Sequence, residues 1–188
     1  MTTNDIPAGG PAGLEDPRLV PGERGPDLIL SRSFAVGVDE VWATLTDPAR
    51  TTVWFGPWEG EGASGATIRV QMSFEDGDPW VPVRIDACDR PTRLAVSMLE
   101  DQGDWRLAVV LAETALSTRL SLIHHLTGVD GLGEIGPGWE SYLDLFEAAL
   151  LGGPGADRPV PSFSDYYPAR AAVFTALAES YVSAPPEP

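Results

Sequence analysis

The two histidines of the chain, His124 and His125, are the side chains best suited to acid–base chemistry near neutral pH. They end a segment, residues 118–125, in which apolar and polar residues alternate as in a half-buried strand. Neighbouring residues of a strand point to opposite faces, so the pair cannot bind one metal ion there. His124 shares a face with Leu120 and Leu122, which predicts an inward position. There it could hydrogen-bond a ligand or act as an acid or base. Alternatively it is a buried histidine whose hydrogen bonds are satisfied by a polar neighbour, and we favour this second interpretation. His125 is expected to face solvent.

Three large aromatic side chains, Trp54, Phe55 and Trp58, surround Gly56-Pro57. This is more aromatic bulk than a turn needs, so the cluster either lines the mouth of a pocket or closes the end of the core. Trp105 is in phase with the apolar residues that follow it in the sequence. It is therefore a further candidate for a pocket wall.

The remaining candidates for chemistry have bland interpretations. Cys88 is the only cysteine, so no internal disulfide can form, and we interpret it as a packing residue. Glu75-Asp76-Gly77-Asp78 supplies only part of a calcium loop and is interpreted as an acidic turn. The hydrolase, zinc-protease and P-loop motifs are absent, and the glycines between 128 and 138 are not interpreted as a phosphate loop. We predict no metal site and no cofactor.

The charge of the chain excludes several classes of partner. The formal net charge is −16, with 12 arginines and no lysine. Nucleic acids and anionic membranes both require a basic surface, so neither is a predicted partner. Without lysine there is no Schiff-base mechanism. No apolar run approaches the roughly 18 residues of a transmembrane helix, and the N-terminus does not resemble a signal peptide. We therefore expect an acidic cytoplasmic protein.

The pattern along the 188 residues predicts one domain with extensions at both ends. Residues 1–26, rich in proline and glycine, predict a flexible N-terminal arm. Residues 27–152 predict a first strand, two short helices started by Asp39 and Asp47-Pro48, and five alternating strands in an antiparallel meander. An amphipathic helix of about fourteen residues follows from Gly138-Trp139. Residues 153–188 predict a C-terminal extension with one helix, over 167–182, and a tail.

Four motifs, in this order, carry a resemblance to a known family. They are Val41-Trp42-x-x-Leu45-Thr46-Asp47-Pro48, Trp54-Phe55-Gly56-Pro57, Thr118-Arg119-Leu120-Ser121-Leu122-x-His124 and Gly136-Pro137-Gly138-Trp139-x-x-Tyr142-Leu143. Over residues 27–151 the chain resembles the SRPBCC (START-like) superfamily, and within it the branch of the activator of Hsp90 ATPase homologue. The resemblance implies an α+β helix-grip fold, in which a curved antiparallel sheet wraps around a long C-terminal helix with a cavity between them. Superfamily members bind lipids, hormones and polyketides, and some are cyclases or hydrolases. Many bacterial members of the branch resemble ligand binders, and the family has no universal catalytic residue.

The function we predict is the binding of a small hydrophobic ligand in that cavity. An enzyme of the cyclase or hydrolase type, with His124 as the candidate catalytic residue, is an alternative. A second alternative is a protein-interaction module that binds an Hsp90-type chaperone. A homodimer is also possible, with the helix of the C-terminal extension as the contact. The predicted ligand-binding residues are Trp54, Phe55, Trp58, Met72, Phe74, Met98, Trp105, Leu122, His124, Trp139, Tyr142 and Phe146.

Overall fold

The computed structural model describes residues 15–98, 105–152 and 162–183, which contain eight strands and four helices. The strands are β1 Arg18–Pro21, β2 Pro26–Phe34, β3 Trp58–Glu59, β4 Thr67–Gln71, β5 Trp80–Asp89, β6 Arg93–Met98, β7 Trp105–Glu113 and β8 Thr118–His125. The helices are α1 Val38–Thr46, α2 Pro48–Thr51, α3 Leu132–Leu150 and α4 Phe163–Ser183. None of the helices among these residues has the length and apolar character needed to cross a membrane.

All eight strands belong to one antiparallel sheet, in the order β1-β2-β8-β7-β6-β5-β4-β3. The predicted meander runs from β4 to β8, and β2 then pairs with β8 so that Asp27 lies opposite His125 and Phe34 opposite Thr118. A bulge in β5, between Ile85 and Ala87, increases the local bend of the sheet. Inward residues of β2, β7 and β8 form one buried core with the apolar face of α3. The predicted helix-grip fold is therefore confirmed.

Helix α1 begins without the predicted Asp39 cap. Its N-cap residue is Gly37, and the N–H of Val38 donates to Glu113 Oε1 at the end of β7, at 3.2 Å. Asp39 lies inside the first turn, where a carboxylate is favourable to the helix dipole but does not cap the helix. Helix α2 begins as predicted, because the Asp47 side chain accepts a hydrogen bond from the first turn.

Helix α3 begins at Leu132, not near Gly138 as predicted, and is 19 residues long. The first turns of α3 contain Gly133 and Gly136-Pro137, which are poor helix formers. Hydrophobic periodicity therefore predicted a helix that begins too late. Tertiary packing explains these residues: a Cβ at position 136 would lie 2.1 Å from Phe174 Cδ1 of α4. Phe174 is completely buried there. The stabilisation of this contact outweighs the low helix propensity of the segment.

The residues from Gly131 to Gly136 also have the spacing G-x-G-x-x-G, which our interpretation of this glycine-rich stretch overlooked. In dinucleotide-binding folds that pattern joins a strand of a parallel sheet to a helix. Here the preceding strand, β8, is antiparallel to both of its neighbours. A Cβ at Gly133 would lie 2.8 Å from Thr175 Oγ1 of α4. Gly133 and Gly136 therefore serve the close approach of α4, and Gly131 supplies the left-handed backbone (φ 72°) at the start of α3, so the pattern does not indicate a nucleotide site.

The structure corrects the predicted flexible arm at residues 15–26. Strand β1 pairs with β2, with Arg18 opposite Ile29, and the Glu15 carboxylate accepts hydrogen bonds from Arg119 Nε and Nη2 at 2.7 and 2.6 Å. Strands β1 and β2 form a hairpin in which Pro21 lies opposite Pro26, so the prolines and glycines of this segment mark a tight turn between two strands. Residues 1–14 of the arm lie outside the described residues, as do 153–161 and 184–188 of the predicted extension. The extension's helix, α4, begins before the predicted residue 167 and packs against α3.

A buried ionic network, which the sequence reasoning missed, joins β2, α3 and α4. The Arg32 side chain is 3% exposed, and its Nη1 lies 2.5 Å from Asp144 Oδ1 and 3.2 Å from Glu147 Oε2. Its Nη2 donates to the main-chain oxygen of Glu140 at 3.2 Å. The buried Glu140 carboxylate in turn accepts hydrogen bonds from Arg170 Nε and Nη2 at 2.6 and 2.5 Å. Because each charge is paired, the network can hold α3 at one position over the sheet.

Candidate functional site

A cavity of about 420 Å³ lies between α3 and the inner face of the sheet. Residues of α1, of α2 and of the segment that leads to β3 complete its wall. The lining is dominated by aromatic and aliphatic side chains: Trp42, Leu45, Thr46, Thr51, Trp54, Phe55, Gly56, Trp58, Gly62, Ile68, Val70, Val83, Ile85, Cys88, Arg90, Leu94, Val96, Met98, Trp105, Leu107, Ala108, Val109, Leu120, Leu122, Trp139, Tyr142, Leu143 and Phe146. Its size and apolar character are those of sites that hold small molecules.

Nine of the twelve predicted ligand-binding residues line this cavity. They are Trp54, Phe55, Trp58, Met98, Trp105, Leu122, Trp139, Tyr142 and Phe146. The other three, Met72, Phe74 and His124, do not reach it. Contact of the nine with a ligand stays a prediction.

The C-terminal end of α1 holds two of the cavity tryptophans in place. The Trp54 Nε1–H donates to the main-chain oxygen of Thr44 at 2.9 Å, and the Trp58 Nε1–H donates to that of Thr46 at 3.2 Å. Carbonyl groups in the last turn of a helix lack intrahelical partners, so the indoles satisfy groups that would otherwise need water. The Trp54 ring also meets the Phe146 ring of α3 edge-on, with centroids 5.0 Å apart. The motif around Gly56-Pro57 thus supplies fixed wall residues.

His124 faces inward as predicted but is covered by two tryptophans. Trp105 stacks on its imidazole at a centroid distance of 4.7 Å, and the Trp139 Nε1–H donates to His124 Nδ1 at 3.1 Å. The side chain is almost completely buried. Burial, followed by the nearby charge of His125, lowers the pKa of His124 to about 4. This burial and hydrogen bond agree with the interpretation as a buried histidine satisfied by a neighbour, and His124 is not among the residues that line the cavity. A role of His124 toward a ligand stays a prediction.

The Tyr142 hydroxyl hydrogen-bonds Glu75 and so links α3 to the turn between β4 and β5. The Tyr142 hydroxyl donates to Glu75 Oε1 at 2.8 Å, and Phe74 meets the tyrosine ring edge-on at 6.2 Å. Burial, together with the hydrogen bond to the Glu75 carboxylate and its charge, raises the pKa of Tyr142 above its usual value. Strand β4 ends at Gln71, so the alternation that predicted inward positions for Met72 and Phe74 no longer applies to them. Phe74 is 47% exposed on the outside of the turn.

The sequence reasoning missed four cavity residues that carry a polar or reactive atom: Thr46, Thr51, Cys88 and Arg90. Both threonine hydroxyls donate to main-chain oxygens of their own helices, at 2.8 and 3.3 Å. Cys88 and Arg90 lie at the end of β5 and in the turn that follows it. Strand alternation is uninformative at a turn, so only the folded chain shows that Arg90 belongs to the cavity lining.

Comparison with protein families shows to which family the chain belongs. Residues 35–151, more than half of it, match the family described as Activator of Hsp90 ATPase homolog 1-like protein. The chain belongs to this family. The matched residues begin directly after β2 and end directly after α3, so they contain every residue of the cavity lining and exclude α4. The resemblance to the SRPBCC superfamily and to this branch is confirmed.

Solved structures share the fold along most of this family member. The crystal structure of CalU16 from Micromonospora echinospora is 27% identical with a TM-score of 0.69, and the match covers 88% of this chain and 98% of CalU16. Its solution structure matches with a TM-score of 0.70 over 92% of this chain. DynU16, a protein of the dynemicin biosynthetic locus, is 25% identical with a TM-score of 0.59, over 67% of this chain and 47% of DynU16. Among curated proteins no match was found.

Proposed function

We propose that this family member binds a small hydrophobic molecule in the cavity between α3 and the sheet. The observation that carries the proposal is the apolar cavity of about 420 Å³, in which three of the lining tryptophans are held by hydrogen bonds to the protein itself. Apolar surface removed from water contributes about 25 cal/mol per Å², so a ligand that fills such a site gains most of its affinity from burial. The place of DynU16 in a biosynthetic locus supports a small molecule as the ligand.

The fixed aromatic walls support binding for a second reason. Trp54, Trp58 and Trp139 each use the indole N–H within the protein, so their rings keep their orientation without a ligand. A site that is already ordered loses little side-chain entropy when it is filled. The ligand class that fits best is therefore a flat or compact apolar molecule that stacks against these rings.

The alternatives receive less support from the geometry. His124 lies outside the cavity lining and its Nδ1 already accepts a hydrogen bond from Trp139, so it is poorly placed as an acid or base toward a bound molecule. Binding to an Hsp90-type chaperone rests on the family description alone. Homodimer formation stays a prediction. Cytoplasmic location also stays a prediction.

Titration with the neutral probe 1-pyrenebutanol tests the proposal. Pyrene accepts excitation energy from tryptophan, so binding next to the cavity tryptophans should quench the protein's emission in a saturable way. Native mass spectrometry should show one probe per chain. A probe concentration of 100 times Kd should stabilise the folded state by about 2.7 kcal/mol and raise Tm. Probe binding without saturable quenching, or no binding by either method, would contradict the proposal.

A pair of valine substitutions separates cavity binding from surface binding. Val96 lines the cavity on β6, whereas Val110 on the adjacent strand β7 is 37% exposed and absent from the lining. Val96→Phe places a ring in the cavity and should weaken probe binding by about tenfold or more, whereas Val110→Phe should leave the affinity unchanged. Equal affinities of the two variants would show that the probe binds elsewhere.

A further inference from the structure

Arg90 is the one charged residue of the cavity lining among the described residues. It lies in the turn between β5 and β6, and its side chain is 71% exposed although it contributes to the wall. Arg90 therefore belongs both to the cavity wall and to the protein surface, which places the residue at the edge of the apolar cavity. A ligand that fills the cavity would end beside a positive charge.

Four aromatic side chains of the lining already donate their polar hydrogens to other groups of the protein. Trp54 and Trp58 donate to α1, Trp139 donates to His124, and Tyr142 donates to Glu75. A polar group on a ligand buried among these rings would lose its bonds to water, which is costly when no partner replaces them. A charged group on the ligand avoids this cost only where it keeps contact with solvent, and Arg90 supplies a positive charge at the edge of the cavity.

Arg90 is only weakly engaged within the protein. Its Nη2 lies 3.9 Å from Asp39 Oδ1, and the two side chains are 71% and 80% exposed. Exposed ion pairs of this kind contribute little, so a ligand carboxylate can compete with Asp39. An arginine presents a planar fork of N–H groups that fits a carboxylate with two parallel hydrogen bonds.

We propose that the ligand is an amphiphilic acid, whose apolar body fills the cavity and whose carboxylate pairs with Arg90 at its mouth. This inference rests on the proposed function and adds the chemical class of the ligand. The net charge of the chain, −16, repels anions in general. A preference for an acid over its neutral analogue would therefore need a local positive charge such as that of Arg90.

The test compares two probes with one apolar body, 1-pyrenebutanoic acid and 1-pyrenebutanol, at pH 7.5 and low salt. The chain should bind the acid about fivefold to tenfold more tightly than the alcohol. Arg90→Gln should abolish or reverse this preference while the affinity for the alcohol stays the same. Arg90→Lys keeps the charge without the planar fork and should keep part of the preference. High salt should reduce the preference, because the group is exposed.

Arg93→Gln is the matched control, because Arg93 is an exposed arginine at the start of β6 that does not line the cavity. It removes the same charge from the same hairpin and should leave the preference for the acid intact. Equal binding of acid and alcohol, or a preference that persists in Arg90→Gln, would overturn the inference while alcohol binding still supports the proposed function. Failure of the alcohol itself to bind would instead overturn the proposed function.

Discussion

Protonation of His124 should destabilise this protein as the pH falls from 7.5 to 5. The folded protein keeps the imidazole neutral, because the side chain is buried between Trp105 and Trp139 and its Nδ1 accepts the Trp139 hydrogen bond. Burial, with a smaller effect of the nearby charge of His125, lowers the pKa of His124 from 6.5 to about 4. The unfolded chain therefore binds this proton more tightly than the folded chain. Stability from this residue is complete above about pH 6.5 and is lost as the pH falls toward 4.

The size of the effect follows from the two pKa values. A pH of 5 lies about 1.5 units below the unfolded-state pKa of 6.5, so this histidine is protonated in the unfolded chain. In the folded chain His124 is still mostly neutral at pH 5, because its pKa is about 4. Each unit corresponds to about 1.4 kcal/mol, so His124 should lower the free energy of unfolding by about 2 kcal/mol between pH 7.5 and 5. Measurement at pH 5 stays above the isoelectric point of about 4.2, where the chain would lose solubility.

Urea unfolding at both pH values, followed by circular dichroism, measures this difference. His124→Gln keeps an acceptor for the Trp139 N–H but does not titrate, so its loss of stability between pH 7.5 and 5 should be about 2 kcal/mol smaller than that of the parent. The 28 acidic residues are common to both proteins, so their titration largely cancels. His125→Gln, at the neighbouring, more exposed position, should retain most of the loss, because burial is the larger cause of the lowered His124 pKa. If the parent and His124→Gln lose the same stability, the buried neutral state of His124 is wrong.

Two further predictions concern the packing of α3. Gly136→Ala should lower the free energy of unfolding, measured in urea, by about 1–3 kcal/mol, because the new Cβ would overlap Phe174. Gly138→Ala is the control in the same assay, because the atom nearest to its Cβ would be 3.9 Å away. Arg32→Met should cost about 3–5 kcal/mol in the same assay at pH 7.5, because it removes the arginine that pairs with the buried Asp144 carboxylate of α3. Arg50→Met, at a pair of exposed side chains, should cost less than about 1 kcal/mol. A loss in Gly138→Ala as large as in Gly136→Ala, or a small effect of Arg32→Met, would contradict these accounts.

Much of the fold could be predicted because it depends on local periodicity. Alternation in β4 to β8 identified the inward residues, and the spacing of Trp139, Tyr142 and Phe146 identified the apolar face of α3. The predicted residues that line the cavity are those that continue such a pattern within an element, or that belong to the aromatic cluster after α2. Phe74 failed because the strand ends before it, and a pattern does not state where an element ends.

The sequence by itself determined most of the strands, the long helix and much of the aromatic wall, because these follow from periods of two and of 3.6 residues. The family and the helix-grip fold came from the resemblance that its four motifs carry. Only the tertiary structure decided which inward residues reach the cavity surface. His124 and Arg32 both occupy inward strand positions, yet Trp105 and Trp139 cover one and the carboxylates of α3 pair with the other. Arg90, in a turn without periodicity, reaches the cavity mouth. Periodicity fixes the face of a side chain, but what packs against that face comes from residues distant in sequence.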